Sequence, residues 1–194
     1  MNEQLKALSL DQACEALAAG EAVAFPTPCG YGYALDPWHE GAEARLAQLK
    51  PNRQNPVGLI AGDQGQVLDV VSDWPAAAAR CAQAWPAELT LVLRAKADVP
   101  PMVCSAVGGV ALRVPITPVA RQLALQHGKP LTATSLNRSG EPTVRTLAAL
   151  AEFAHLIAGY LPGEVGDQAP STLVDLTGLE PRVLRQGGVE FAWL

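Results

Sequence analysis

The sequence predicts an α/β fold, and three observations carry that expectation. Short apolar runs rich in aliphatic and β-branched residues alternate with longer stretches in which alanine and leucine recur at helical spacing. No internal repeat, low-complexity tract or linker interrupts the alternation, so residues 1–194 are expected to form a single domain. A chain of 194 residues with 49% hydrophobic and 17% charged content can also bury a substantial core.

The elements can be placed in order. Ser9 with Gln12 is a capping-box pair opening a helix that ends at Gly20. Residues 23–25 read as a buried strand. Residues 41–50 read as a helix with Leu46 and Leu49 on its inner face, and 57–61 as a strand. A helix over 75–85 precedes a strand over 90–94, and another strand is expected at 110–114. Thr117 and Pro118 supply an N-cap and a first-turn proline for a helix running to His127. Strands at 131–135, 173–176 and 183–185 complete the expected sheet, with a further helix at 147–154. The stretch 159–170, rich in glycine, proline and acid, reads as a surface loop or a mobile flap.

Composition excludes several classes. A net charge of −5 argues against a generally basic surface that coats nucleic acid, although a local basic cleft remains compatible. The sequence shows neither a secretory signal pattern nor about 18 consecutive apolar residues, so a cytoplasmic, non-membrane protein is expected. Cys14, Cys29, Cys81 and Cys104 are widely spaced with no CxxC pair, which disfavours zinc and disulfides. Cys14 and Cys81 fall in alanine-rich helical patterns and are read as small core residues. His39, His127 and His155 are read as surface or helix-end residues.

Two segments carry chemistry. In KPLTATSLNRSGEP (129–142) an apolar strand ends in Thr132, Thr134, Ser135, Asn137 and Ser139, uncharged groups that can donate and accept hydrogen bonds. Ligands of α/β sheets bind at such carboxyl ends of strands. In AVAFPTPCGYGYALDP (22–37) a strand gives way to Pro26, Thr27, Pro28 and Cys29, then Gly30 and Gly32, where a backbone without side chains allows close approach. The dinucleotide fingerprint is absent, since Leu35 stands where a third glycine is needed, and so is the GxxxxGK[ST] phosphate loop.

With further segments, these resemble the YrdC-like family of threonylcarbamoyl-AMP synthases. The resemblance rests on Pro26-Thr27, Tyr31-Gly32, Lys50 with Arg53, Trp85-Pro86-Ala87-Glu88-Leu89-Thr90 and Arg113-Val114-Pro115. It continues through Thr134-Ser135-Leu136-Asn137-Arg138-Ser139-Gly140, Pro170-Ser171-Thr172-Leu173-Val174-Asp175 and Arg185-Gln186-Gly187. It spans about residues 22 to 188, in family order. The fold it implies is a twisted mixed sheet with flanking helices and a central cleft, and no extra C-terminal domain is expected.

The activity it implies is a nucleotidyl transfer that joins L-threonine, bicarbonate and ATP into threonylcarbamoyl-AMP with release of pyrophosphate. ATP is then a substrate, Mg2+ accompanies it, and the product passes to a downstream threonylcarbamoyl transferase for tRNA modification. By the same resemblance Lys50 and Arg53 are catalytic and contact the ATP phosphates; from the residues alone a cationic helix cap is the preferred reading. Thr27, Cys29, Arg113, Thr134, Ser171 and Thr172 would bind threonine, and Ser135, Asn137, Ser139 and Arg185 the nucleotide. Arg113 is a lone charge in an apolar strand and needs an anionic partner. That partner is the threonine carboxylate or an internal acid such as Asp175. Departures from the pattern point to an alternative, a nucleotide- or double-stranded-RNA-binding paralogue with weak or no synthase activity. Pro28 replaces an acidic residue, Cys29 a threonine and Leu136 an alanine, and Val57 stands where a second lysine is usual.

Overall fold

The structure, a computed structural model, describes residues 4–190 except positions 52, 54 and 139. Six helices are α1 (Leu10–Ala18), α2 (Ala42–Leu49), α3 (Gln64–Val70), α4 (Ala76–Cys81), α5 (Pro118–His127) and α6 (Leu147–Ala151). Nine strands are β1 (Val23–Thr27), β2 (Gly30–Ala34), β3 (Gly58–Ile60), β4 (Leu89–Arg94), β5 (Gly109–Arg113), β6 (Leu131–Ser135), β7 (Gly159–Tyr160), β8 (Thr172–Asp175) and β9 (Arg182–Arg185). They form one sheet in the order β7-β1-β2-β6-β3-β5-β4-β8-β9. It is mixed: β1/β7, β3/β5 and β4/β8 are parallel and the other pairs antiparallel.

Local chemistry sets the element ends. Ser9 caps α1 with both halves of the capping box formed, Ser9 Oγ accepting from Gln12 N–H at 3.2 Å and Gln12 Oε1 from Ser9 N–H at 2.9 Å. Gly128 closes α5 in the left-handed region, at φ 83°. Three elements lie outside the sequence expectation. The helix α3 opens on Asp63, whose carboxylate accepts from Gln66 N–H at 2.9 Å. The strand β2 is built from Gly-Tyr-Gly-Tyr-Ala, a period-2 pattern hidden by its glycines. The third, β7, is only two residues long and borrows its pairing from β1. Pro26 fits within β1 because β7 pairs only with Val23 and Ala24, leaving no ladder for the missing N–H to serve.

The two faces of the sheet are covered differently. One packs Tyr33, Leu35, Leu59, Leu91, Leu112 and Val174 against Leu46 and Leu49 of α2, Val67 of α3, Cys81 of α4 and Leu150 of α6. On the other face, Val23, Phe25, Ala34, Ile60 and Leu131 pack under Ala13 and Leu17 of α1 and Ala120, Leu123 and Ala124 of α5. These two helices cover only part of that face. Cys81 is fully buried and Cys14 packs at the edge of the smaller cluster, as expected of small core residues.

Candidate active site

The uncovered part of the second face is a cleft of about 630 Å³. Its floor follows from strand register. Ala133 pairs with Gly58, which stands beside Ala111; Ala111 pairs with Val92 and Val92 with Asp175. All five line the cleft. Glycine or alanine at three adjacent strands leaves the volume that leucines fill elsewhere in the sheet. Gly32 extends the floor into β2: a Cβ there would sit 3.2 Å from Phe25 Cζ and 3.3 Å from Thr134 O. The next row, two residues along, carries the chemistry. Arg113 lies across from Thr90, Thr90 beside Leu173, and Leu173 across from Arg185.

Two guanidiniums therefore converge on one cleft. Burial, and then the charge of Arg113, lower the pKa of Arg185. Arg185 is held in place by Ser171, with Nε donating to the carbonyl at 2.9 Å and Nη2 to Oγ at 3.2 Å. Ser171 Oγ in turn bonds Thr90 Oγ1 at 2.8 Å. The acidic partner of Arg113 is Glu88 rather than Asp175: Arg113 Nε lies 3.5 Å from Glu88 Oε2. Asp175 is committed elsewhere. Burial alone would raise its pKa, but hydrogen bonds from Thr177 Oγ1 and N–H, with the charge of Arg182, hold it below the ordinary value.

The rim is polar and pinned. Thr27 Oγ1 donates to Gly30 O at 2.6 Å and accepts from Cys29 N–H at 3.2 Å, which closes the β1–β2 hairpin around Pro28 and Cys29. The stretch 159–170 opens with β7 and continues over 161–170 as a loop docked on this turn. Gly166 N–H donates to Thr27 O at 3.1 Å and Gln168 N–H to Pro28 O at 2.8 Å. Glycine is required at 166, since a Cβ there would lie 2.3 Å from Pro28 O. Pro28 thus offers its carbonyl to hold this loop beside the cleft.

Of the residues expected from sequence, Thr27, Cys29, Arg113, Thr134, Ser135, Ser171 and Arg185 all line this cleft. Four others do not. Lys50 and Arg53 follow α2, whose packing on the opposite face delivers them beside the cleft rather than into its lining. Lys50 Nζ donates to Asn137 through both its Oδ1 and its carbonyl, the latter at 3.0 Å, so two expected site residues 87 positions apart bind each other. Burial, followed by the charge of Arg53, pulls the Lys50 pKa down. Arg53 Nη2 reaches Met102 O at 3.5 Å, and its pKa is lowered by burial against a smaller opposing effect of Tyr33. Thr172 points away: its Oγ1 donates to Val189 O at 2.6 Å and accepts from Gly187 N–H at 2.9 Å, holding the chain after β9. Ser139 lies outside the described residues.

Val57 corrects a sequence expectation. It is 2% exposed within the apolar core, so a lysine at that position would bury its charge instead of facing a phosphate. Asn55 and Pro56 line the cleft in its place. His127 ends α5, as expected of a helix-end residue, and its ring meets Asp36 at 3.0 Å. Sequence reasoning passed over Glu88, Thr90, Ser105 and Thr143 as cleft residues. For Glu88 and Thr90 a signal existed, a charge and a hydroxyl flanking the first residue of an apolar strand.

A sheet face left half open, two convergent guanidiniums and a ring of hydroxyls make a cleft suited to small, polar, anionic molecules. No helix among the described residues is long and apolar enough to cross a membrane. Comparison with known proteins names the class further. The Sua5/YciO/YrdC family profile, described as "Telomere recombination", matches residues 15–187. A threonylcarbamoyl-AMP synthase of Vibrio cholerae is 37% identical over 188 residues, covering 92% of this chain and 97% of that protein. A threonylcarbamoyl-AMP synthase of Xanthomonas campestris pv. campestris is also 37% identical, over 171 residues, covering 84% of this chain and 90% of its own. Among solved structures, P. abyssi Sua5 complexed with L-threonine superposes with a TM-score of 0.85 at 29% identity over 94% of this chain; the chain spans 56% of that Sua5 chain. E. coli YciO shares the fold, with a TM-score of 0.80 at 23% identity over 93% of this chain and 90% of that one. The chain belongs to the Sua5/YciO/YrdC family.

Proposed function

We propose that this protein is an L-threonylcarbamoyladenylate synthase, a nucleotidyltransferase that supplies threonylcarbamoyl-AMP for tRNA threonylcarbamoyladenosine modification. The observation that carries this reading is the convergence of Arg113 and Arg185 over a glycine- and alanine-lined floor wide enough for a nucleotide and an amino acid together. Relatives named threonylcarbamoyl-AMP synthase, and a Sua5 structure complexed with L-threonine, point the same way.

In this reading Arg113 receives the threonine carboxylate, and Thr27, Cys29, Thr134 and Ser171 surround the rest of the amino acid. Specificity follows from pairing the substrate hydroxyl, because a site left with unpaired polar groups rejects analogues strongly. The threonine nitrogen attacks the bicarbonate carbon, and loss of water leaves a carbamate. A carbamate oxygen then attacks the α-phosphorus of ATP, and the bond to the bridging oxygen of pyrophosphate breaks. Charge grows on phosphate oxygens in that step, and Arg185, held by Ser171, is a fixed cation that stabilises it without reorganisation. Ser135 offers a hydroxyl on the same wall. Lys50 and Arg53 stand beside the cleft, with Lys50 orienting Asn137, and would meet the outer phosphates or the departing pyrophosphate. Magnesium enters with the triphosphate as part of the substrate, since it takes most of its oxygen ligands from phosphates and water.

The test is pyrophosphate release from ATP by the purified protein with magnesium. Release that needs both threonine and bicarbonate is the expected outcome. ATP hydrolysis indifferent to threonine, or no release, overturns the reading.

A further inference from the structure

Glu88 stands just before β4, its carbonyl accepting from Thr172 N–H at 3.0 Å, so the backbone that presents it is fixed. Its carboxylate lies 3.5 Å from Arg113 Nε, with the two side chains only 11% and 16% exposed. This is an ion pair without a hydrogen bond. Glu88 Oε1 and Arg113 Nε are two of the three buried side-chain polar atoms that lack a partner among the described residues; the third is Tyr33 Oη. A buried pair is stable when its remaining lone pairs and protons are satisfied, and this one, in a cleft wall, is not.

The pair decides which charges a ligand can carry. A ligand with a carboxylate alone gains from Arg113 but is repelled by Glu88 beside it. A ligand with a carboxylate and an ammonium on neighbouring atoms gains twice, the carboxylate at Arg113 and the ammonium at Glu88. Four alternating charges then close on one another. Arg185 keeps its full charge while Ser171 holds its Nε and one Nη, and in the reading above that charge serves the phosphates. The geometry points to Glu88 as a specificity-determining residue that, with Arg113, reads the zwitterion of an α-amino acid by taking its ammonium. The inference rests on the amino-acid substrate proposed above and adds the residue that tells it from a hydroxy acid of the same shape.

The test is calorimetric titration without bicarbonate, so that nothing turns over, using L-threonine and 3-hydroxybutyrate, which is threonine without its amino group. The wild-type protein is expected to prefer threonine. In Glu88→Gln, threonine should bind about tenfold or more weakly while 3-hydroxybutyrate binds as well or better, so the preference collapses. Glu88→Asp keeps the charge and should retain most of the preference. Thermal unfolding and ATP binding show that each variant is folded, and Glu88→Ala replaces the glutamine variant if that one is not. A preference unchanged in Glu88→Gln, with both ligands gaining equally, overturns the inference: Glu88 would then only screen Arg113. Wild-type protein that binds no threonine overturns the substrate reading and this inference together, whereas the first result overturns this one alone.

Discussion

One face of the sheet has two halves that begin from the same strands and end as opposites. Under α1 and α5 it presents Val23, Phe25, Ile60 and Leu131, at most 1% exposed. Beyond those helices it presents Gly32, Gly58, Ala111 and Ala133 as floor, with Arg113, Thr90 and Arg185 in the row alongside. Ile60 and Arg113 are neighbours in register, one under a helix and the other in the cleft. In one half, side-chain volume meets side-chain volume and stabilises the fold. In the other, volume is withheld and unsatisfied charge is placed where a ligand can complete it. Stability and binding are therefore expected to separate by position along the face.

Substitutions in each half sharpen that contrast. Leu131→Ala, in the closed half, should cost about 2–5 kcal/mol of stability in urea unfolding, since the residue is fully buried and its space cannot collapse easily. Threonine affinity per folded molecule should not change; a large loss would mean the halves are not independent. Arg113→Ala, in the open half, should do the reverse. Threonine binding should weaken by about 2–4 kcal/mol by calorimetry, more than any fall in stability from leaving Glu88 without its partner. Unchanged affinity would remove Arg113 from the substrate site. Gly58→Leu tests the floor itself. A Cβ at Gly58 would make only ordinary contact, 3.6 Å from Ala111 O, so the backbone tolerates it and the rest of the side chain must enter the cleft. ATP and threonine binding should fall about tenfold or more with little change in thermal unfolding, whereas full binding would place the ligands elsewhere.

This division also explains what was legible in the sequence. Closed-half elements announce themselves through apolar periodicity and caps, as α1 does through Ser9 and Gln12. The open half announces itself through residues that break the pattern. A charge in VALRVP and hydroxyls after LTA led to Arg113, Thr134 and Ser135, and the family resemblance to Thr27, Cys29, Ser171 and Arg185, all of which line the cleft. Those same breaks hid β2, because Gly30 and Gly32 read as loop when their role is to thin a strand. Lys50 and Arg53 were identifiable as cations at a helix end, but no local rule states which sheet face that helix packs on. Glu88 went unremarked because its importance lies in reaching diagonally to Arg113, a contact 25 positions away that only the β4–β5 pairing creates.

The smallest expected effect concerns how the closed half is fastened. Asp36, just after β2, accepts from Trp38 N–H at 2.8 Å and faces His127 at the end of α5 at 3.0 Å, which ties the covering helix to the sheet. Burial alone would raise the Asp36 pKa. The hydrogen bonds from His127 and Trp38, with the charges of His127 and Lys129, outweigh it and hold the pKa below its ordinary value. A carboxyl depressed in the folded state stabilises the fold above its unfolded pKa of about 3.9, and that contribution is lost as pH falls through the folded value. Asp36→Asn should therefore cost about 1–3 kcal/mol at pH 7, and the gap to wild type should narrow as pH falls below about 4. Urea unfolding of both proteins from pH 7 to pH 3 measures this, with threonine binding at pH 7 as the control. A gap that does not narrow at all between pH 5 and pH 3 would assign the effect to packing rather than charge. A loss of threonine binding larger than the stability change would show that the fastening of α5 shapes the cleft, and that the two halves of the face are coupled after all.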